Sequence, residues 1–294
     1  MTFARLDHIS DLDTLQRMPA WVTSARAETL EDVAFLSGAA LNHLHVVLGR
    51  AEVPQALLRD RLALRATEAC VTFSGRPERA RELRDLLHLL SPGDLPGPAG
   101  EIYLSWRRAT ERTVSVKALG RALPTFEPGQ IATWLNTGQG APVSRAAMVL
   151  ETVLMETPRA EALALILAEA SLAQSLGWKH LIPLLAPGLR RGDLRKQGDD
   201  LRLACHRALI ASAVETARLA ADLTRRAEHV KAVAPKLRAK GAGEAVGMFL
   251  ARDAVAAAAL PLPSRAARRL CDRLVELGAV RELTGRDTFR LYGV

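Results

Sequence analysis

The chain has 294 residues and a formal net charge of +8, with 49% hydrophobic, 24% charged and only 4% aromatic residues. That balance is the one a globular domain needs to bury a core, and the length suits about two domains. It excludes a disulfide scaffold and a membrane-spanning bundle. Cys70, Cys205 and Cys271 show no paired spacing, and the most apolar windows, Ala160–Leu176 and Ala254–Leu262, are too short or too interrupted to cross a bilayer.

Leu and Ala dominate the apolar content, which favours closely packed helices over sheets. Met1–His8 lacks the basic and apolar regions of a secretory signal, so the cytoplasm is the expected location and the three cysteines are expected to be free thiols. The charge is uneven. Between Arg225 and Val294 there are 14 Lys/Arg and 7 Asp/Glu, so this last quarter holds almost the whole positive excess. A surface facing a polyanion is the natural reading of such placement.

The N-terminal twenty-odd residues are polar and irregular. Thr29-Leu30-Glu31-Asp32 places acids in the first turn of a helix that continues through Phe35, Leu36, Ala39, Ala40, Leu44, Val47 and Leu48. A second helix spans about Gln55–Phe73, and a third runs from Pro77 to Leu90. Ser91–Gly100, rich in Pro and Gly, reads as a loop that could dock a partner. Short helices follow around Ala99–Thr110, Lys117–Leu123 and Pro128–Asn136. After a break at Thr137–Pro142 come helices over Ser144–Met155 and Arg159–Leu176, then a short apolar piece over Trp178–Leu185. Asp199–Val233 forms one long helix, or two in line, stopped by Pro235. No β-alternation precedes Ala279, so strands are expected only in a C-terminal hairpin.

The last unit carries the functional signal. Glu244–Ala251 and Asp253–Ala259 read as two short helices, Leu260–Pro263 as a turn, and Ser264 as the N-cap of a third helix. On a wheel of Arg265–Leu277, Ala266, Ala267, Leu270, Leu274 and Leu277 share one side, while Arg265, Arg268, Arg269 and Arg273 share the other. Gly278 caps the helix. Ala279–Leu283 and Thr288–Tyr292 then pair about a tight turn, Thr284–Asp287, that puts Arg286 at a wing tip. This is the order of a winged helix-turn-helix. Guanidinium groups suit its task, since they bond bidentately to guanine edges and to phosphates.

The runs Ala34–Ala40, Gly93–Gly100, Ala234–Ala242, Arg265–Leu270 and Glu282–Gly293 together resemble a bacterial family, domain of unknown function 1403, found among alphaproteobacteria and often on plasmids. The resemblance covers most of the chain and implies no established activity. The C-terminal unit is also similar to the last domain of many Fic-type proteins, but the His-Pro-Phe catalytic run of that group is absent.

Chemistry has little support elsewhere. Gly241-Ala242-Gly243-Glu244-Ala245-Val246-Gly247 imitates a dinucleotide fingerprint without the strand that motif requires. His43 and His45 point in different directions on a helix, and Cys205-His206 and His229 lack companions at chelating spacing. Trp106, Trp134 and Trp178 read as core or interface fillers. No catalytic residue, metal or cofactor is expected. The reading is an all-α body, residues 1–240, with a winged helix-turn-helix, residues 241–294, that binds double-stranded DNA without catalysis. Ser264, Arg265, Arg268, Arg269, Arg273, Arg286 and Arg290 are the residues expected to touch it. The alternative is an adaptor whose winged helix or body binds a protein partner, with a homodimer as one form.

Overall fold

A computed structural model describes residues 17–24, 28–90, 93–237 and 240–294. Its helices are α1 (Ala20–Ser24), α2 (Leu30–Leu48), α3 (Gln55–Phe73), α4 (Ala80–His88), α5 (Gly97–Glu111), α6 (Val116–Ala122) and α7 (Pro128–Thr137). Then follow α8 (Pro142–Glu156), α9 (Glu161–Ser175), α10 (Leu185–Gly188), α11 (Gly198–Val233), α12 (Ala242–Phe249) and α13 (Ser264–Glu276). The strands are β1 (Val255–Ala256), β2 (Arg281–Glu282) and β3 (Leu291–Gly293). The protein is thus mainly helical, and among the described residues no helix is long and apolar enough to cross a membrane.

Local chemistry explains the main elements. Thr29 caps α2 by accepting the Asp32 N–H at 3.1 Å, which satisfies one of the donors a helix start leaves free. The helix α9 is apolar on every side, and each residue from Leu163 to Ala173 is buried. Such a helix belongs in the centre of a bundle. It packs against α8, while the long α11 lies along α2 and α3 against α5.

At mid-α9 stands Glu169, whose Oε1 accepts the N–H groups of Leu184, Leu185 and Ala186 at 2.6, 2.5 and 3.3 Å. A buried acid thereby caps the short helix α10. Burial outweighs those donors and pushes the Glu169 carboxyl up to about 8. The three cysteines are buried and free.

The sheet is small and antiparallel, in the order β1-β3-β2. Val255 pairs with Tyr292 and Ala256 with Leu291; Arg281 pairs with Gly293 and Glu282 with Tyr292. Three expectations are corrected here. Asp253–Ala259 is not a helix but the strand β1 followed by a turn of 3₁₀ helix, Ala257–Ala259, because pairing with β3 overrides the alanine run's helical preference. Strands are therefore not confined to the hairpin. The hairpin turn is also wider than Thr284–Asp287: β2 ends at Glu282 and β3 starts only at Leu291. Within that loop the Glu282 carboxylate gathers the N–H groups of Thr284 and Gly285 at 2.7 and 2.9 Å.

Smaller corrections follow the same logic. Gly97–Gly100 opens α5, with Pro98 in its first turn, where the missing N–H is harmless; Ser91 and Pro92, in the same expected loop, lie outside the described residues. Ala20–Ser24 is helical within the start expected to be irregular. Trp178–Leu184 is irregular apart from a bridge between His180 and Thr113, with Val114 N–H donating to the Lys179 carbonyl at 2.9 Å. The long helix is single and ends at Val233, before Pro235. One core runs from Val22 through α9 to Leu270, Leu274 and Val294, so packing continues across residue 240.

Candidate nucleic-acid interface

Pro263 sets the start of α13, and Ser264 is its first helical residue. Ser264 makes no side-chain capping bond, contrary to the capping role that its sequence position suggests; the cap position belongs to Pro263. Ala267, Leu270, Cys271 and Leu274 are buried on one face. Ser264, Arg265, Arg268, Arg269 and Arg273 are exposed on the other. Spacings of three and four residues put them there, as the wheel requires. Arg273 pairs with Glu276 at 2.9 Å, whereas among the described residues Arg265, Arg268 and Arg269 form no ion pair. The helix ends at Glu276, and Gly278, two residues on, has a φ of 66° that suits glycine. Just before it, the Leu277 carbonyl lies 3.0 Å from Nε2 of His229 on α11. A carbonyl can only accept, so that nitrogen carries the proton.

The loop between β2 and β3 behaves differently from the expected free wing. Arg286 is turned to the body, where it forms an ion pair with Asp85 of α4. Arg290 is exposed, and its Nε donates to the Arg286 carbonyl at 2.9 Å. The most exposed apolar side chain of the loop is Phe289, 72% accessible, on a backbone with φ of 54°, which is uncommon for a residue with a side chain.

A buried charge network ties the segment before β1 to the body. Asp253, 1% exposed, accepts Arg84 Nε at 2.5 Å and Nη2 at 3.1 Å and also pairs with Arg61. Its N–H donates to Asp60 at 2.8 Å, and Asp60 takes Arg107 at 3.1 Å. Bidentate charge-assisted bonds of this kind add geometric specificity to their energy. Arg61 further donates to the Val294 carbonyl at 3.3 Å. Beside the network, burial pushes the Tyr103 hydroxyl up and holds His88 below the usual imidazole range, with Arg107 adding to the effect. Close packing continues at Gly293, where an added Cβ would stand 2.5 Å from the Asp253 carbonyl oxygen.

A groove of about 530 Å³ runs between α11 and this unit, lined in part by Arg225, Arg226, His229 and Arg281. Asp222 answers Arg226 at 2.8 Å and Arg225 at 3.5 Å. Burial lowers the pKa of Arg281, with the positive charges of Arg226 and Arg61 contributing. The sequence pattern places none of these three arginines in the site. The signal it does carry is the charge excess that begins at Arg225; what it lacks is the approach of α11 to the residues that follow α13.

The chain belongs to the family described as protein of unknown function (DUF1403), whose model matches residues 6–294. No curated protein matches it.

Proposed function

We propose that residues 241–294 form a winged helix that binds double-stranded DNA without catalysis, with α13 in the major groove. The observation that carries this reading is the exposed row Arg265, Arg268 and Arg269, without ion pairs among the described residues, on a helix whose other face is buried. The order α12, β1, 3₁₀ turn, α13, β2, β3 and the sheet order β1-β3-β2 support it as well, since a helix followed by a strand pair is how such units present a reading helix. The groove bearing Arg225, Arg226 and Arg281 extends the basic surface towards a phosphate backbone. Arg273 continues the row along α13, Arg290 adds an exposed guanidinium from the loop, Ser264 at the helix start offers a hydroxyl and N–H to a phosphate, and Arg286 serves chiefly to dock the loop. A role in regulation or plasmid maintenance in an alphaproteobacterial cytoplasm rests on the setting of the family that the chain resembles.

A protein-binding adaptor is the second reading. It is favoured by Phe289 at 72% and Val275 at 39% exposure, apolar groups of the loop and of α13 that a phosphate backbone does not use. Fluorescence anisotropy of mixed-sequence duplexes over a salt series separates the two. DNA binding through about four neutralised phosphates gives a log–log slope of about −4. Arg268→Ala with Arg269→Ala weakens binding by about 1–3 kcal/mol for each guanidinium that pairs with a base edge. Equal affinity of wild type and double mutant removes the reading helix from contention, and Phe289→Ser then becomes the variant to follow in a protein pull-down.

A further inference from the structure

We infer that the cleft between α2, the start of α8 and the first half of α11 is a binding site for a small, uncharged, largely apolar molecule carrying a hydrogen-bond acceptor. The cleft encloses about 460 Å³, within the range of about 300–1,000 Å³ that small ligands occupy. Leu41, Val143 and Leu176 supply apolar wall, and among the described residues no Asp, Glu, Lys or Arg lines it, although 24% of the chain is charged. A charged ligand has no counter-charge there, while an apolar one loses nothing by leaving water.

The polar groups are arranged to complement a neutral molecule. At the floor, buried Ser37 donates to the Ala34 carbonyl at 3.0 Å and lies 2.6 Å from Nδ1 of His206. With the Ser37 proton directed at Ala34, the contact is closed by Nδ1–H of His206 donating to the Ser37 oxygen, which leaves Nε2 as the unprotonated nitrogen of the neutral ring. Burial lowers the pKa of His206, with Arg202 adding to the effect, so the floor stays neutral. At the rim, Trp178 Nε1–H, which can only donate, bonds to Nδ1 of His45 at 2.9 Å. The neutral His45 ring therefore keeps its proton on Nε2 as a donor. The Asn42 amide adds two N–H donors and one carbonyl acceptor to the lining. A carbonyl or ether oxygen on an apolar frame matches this set.

Gly38 points the same way. It lies inside α2, where glycine is less stable than alanine, and it lines the cleft. An added Cβ there meets no atom within 4 Å. Packing does not demand this glycine, and its missing side chain keeps the cleft open.

Fluorine NMR line broadening tests the site with para-fluoroacetophenone as the neutral acceptor probe and para-fluorobenzoate as its charged counterpart. The ketone is expected to bind saturably and about tenfold or more tighter than the benzoate, a difference of about 1.4 kcal/mol. Gly38→Leu is expected to abolish ketone binding. Gly38→Ala, which keeps the helix, is expected to raise the melting temperature and weaken binding several-fold. Absence of saturable ketone binding to folded wild type overturns the proposal. So does equal affinity for the benzoate, or ketone binding that Gly38→Ala and Gly38→Leu leave unchanged.

Discussion

Arginine does opposite work in two regions of this molecule. In the body, Arg61, Arg84 and Arg107 are largely buried and each faces Asp60 or Asp253. On α13, Arg265, Arg268 and Arg269 stand in solvent without an acid partner among the described residues. A guanidinium taken out of water must be paired, whereas one left in water keeps its field free for an approaching polyanion. Net charge by region hints at this division, but only tertiary placement assigns each arginine to one side of it.

The largest effect is expected where the paired set is broken. Asp253→Ala leaves Arg61 and Arg84 together without their acid, and the expected loss is about 3–5 kcal/mol of stability by chemical denaturation. Asp253→Asn should lose less, because it keeps the shape and an acceptor. Equal stability of Asp253→Ala and wild type would show that the network does not hold the C-terminal unit on the body.

A second test uses the body's buried acid. The Glu169 carboxyl is raised from its ordinary value to about 8, so the folded state prefers the protonated form. Its stabilising contribution is complete below the unfolded pKa of about 4.3 and is lost as pH rises through about 8. Stability is therefore expected to fall by roughly a few kcal/mol between pH 5 and pH 9. Glu169→Gln, which mimics the protonated acid and still accepts from the start of α10, should flatten that slope. A melting-temperature profile of wild type against Glu169→Gln over this window reads the effect, and parallel profiles would contradict it.

The exposed arginines should behave in the reverse manner. Arg268→Ala and Arg269→Ala are expected to change stability by less than about 0.5 kcal/mol each, because they are surface substitutions without an ion pair. A large destabilisation would mean that these side chains serve the fold and not a partner.

Much of the architecture is legible from local chemistry. Thr29 announces α2, Gln55–Phe73 is legible to the residue, and Pro235 marks the end of the long helix within two residues. The two faces of α13 follow from three- and four-residue spacing. Less is legible where distant partners decide. Asp253–Ala259 looks helical because its alanines favour helix, yet it pairs with Leu291 and Tyr292 at the far end of the unit. The charge network joins positions 60, 61, 84, 107 and 253, which have no shared spacing, so no pattern in the chain reveals it. Arg286 resembles a wing tip in the sequence because its partner Asp85 lies 201 residues away. The exposed arginine face is thus recoverable on α13, where three- and four-residue spacing suffices, whereas the placement of the loop is not, because the body intervenes.

Arg286 supplies the smallest and most discriminating prediction, since it lies between the two kinds of arginine. Its side chain is 34% exposed and that of Asp85 is 23% exposed, so the pair is partly screened and its contribution is about 1 kcal/mol or less. If Arg286 is a latch, Arg286→Ala and Asp85→Ala each lower stability slightly, and the double variant loses no more than either alone. DNA affinity then changes little in all three. If Arg286 instead leaves Asp85 for a phosphate, Asp85→Ala strengthens DNA binding by freeing the guanidinium, while Arg286→Ala weakens it on every sequence alike and lowers the salt slope by about one. A double-mutant cycle in stability, run beside anisotropy on one duplex, reads both outcomes from the same four proteins. Coupling in stability with flat DNA affinity assigns Arg286 to the buried, structural set of the body. Opposite signs for the two single variants in DNA binding assign it to the exposed set of α13.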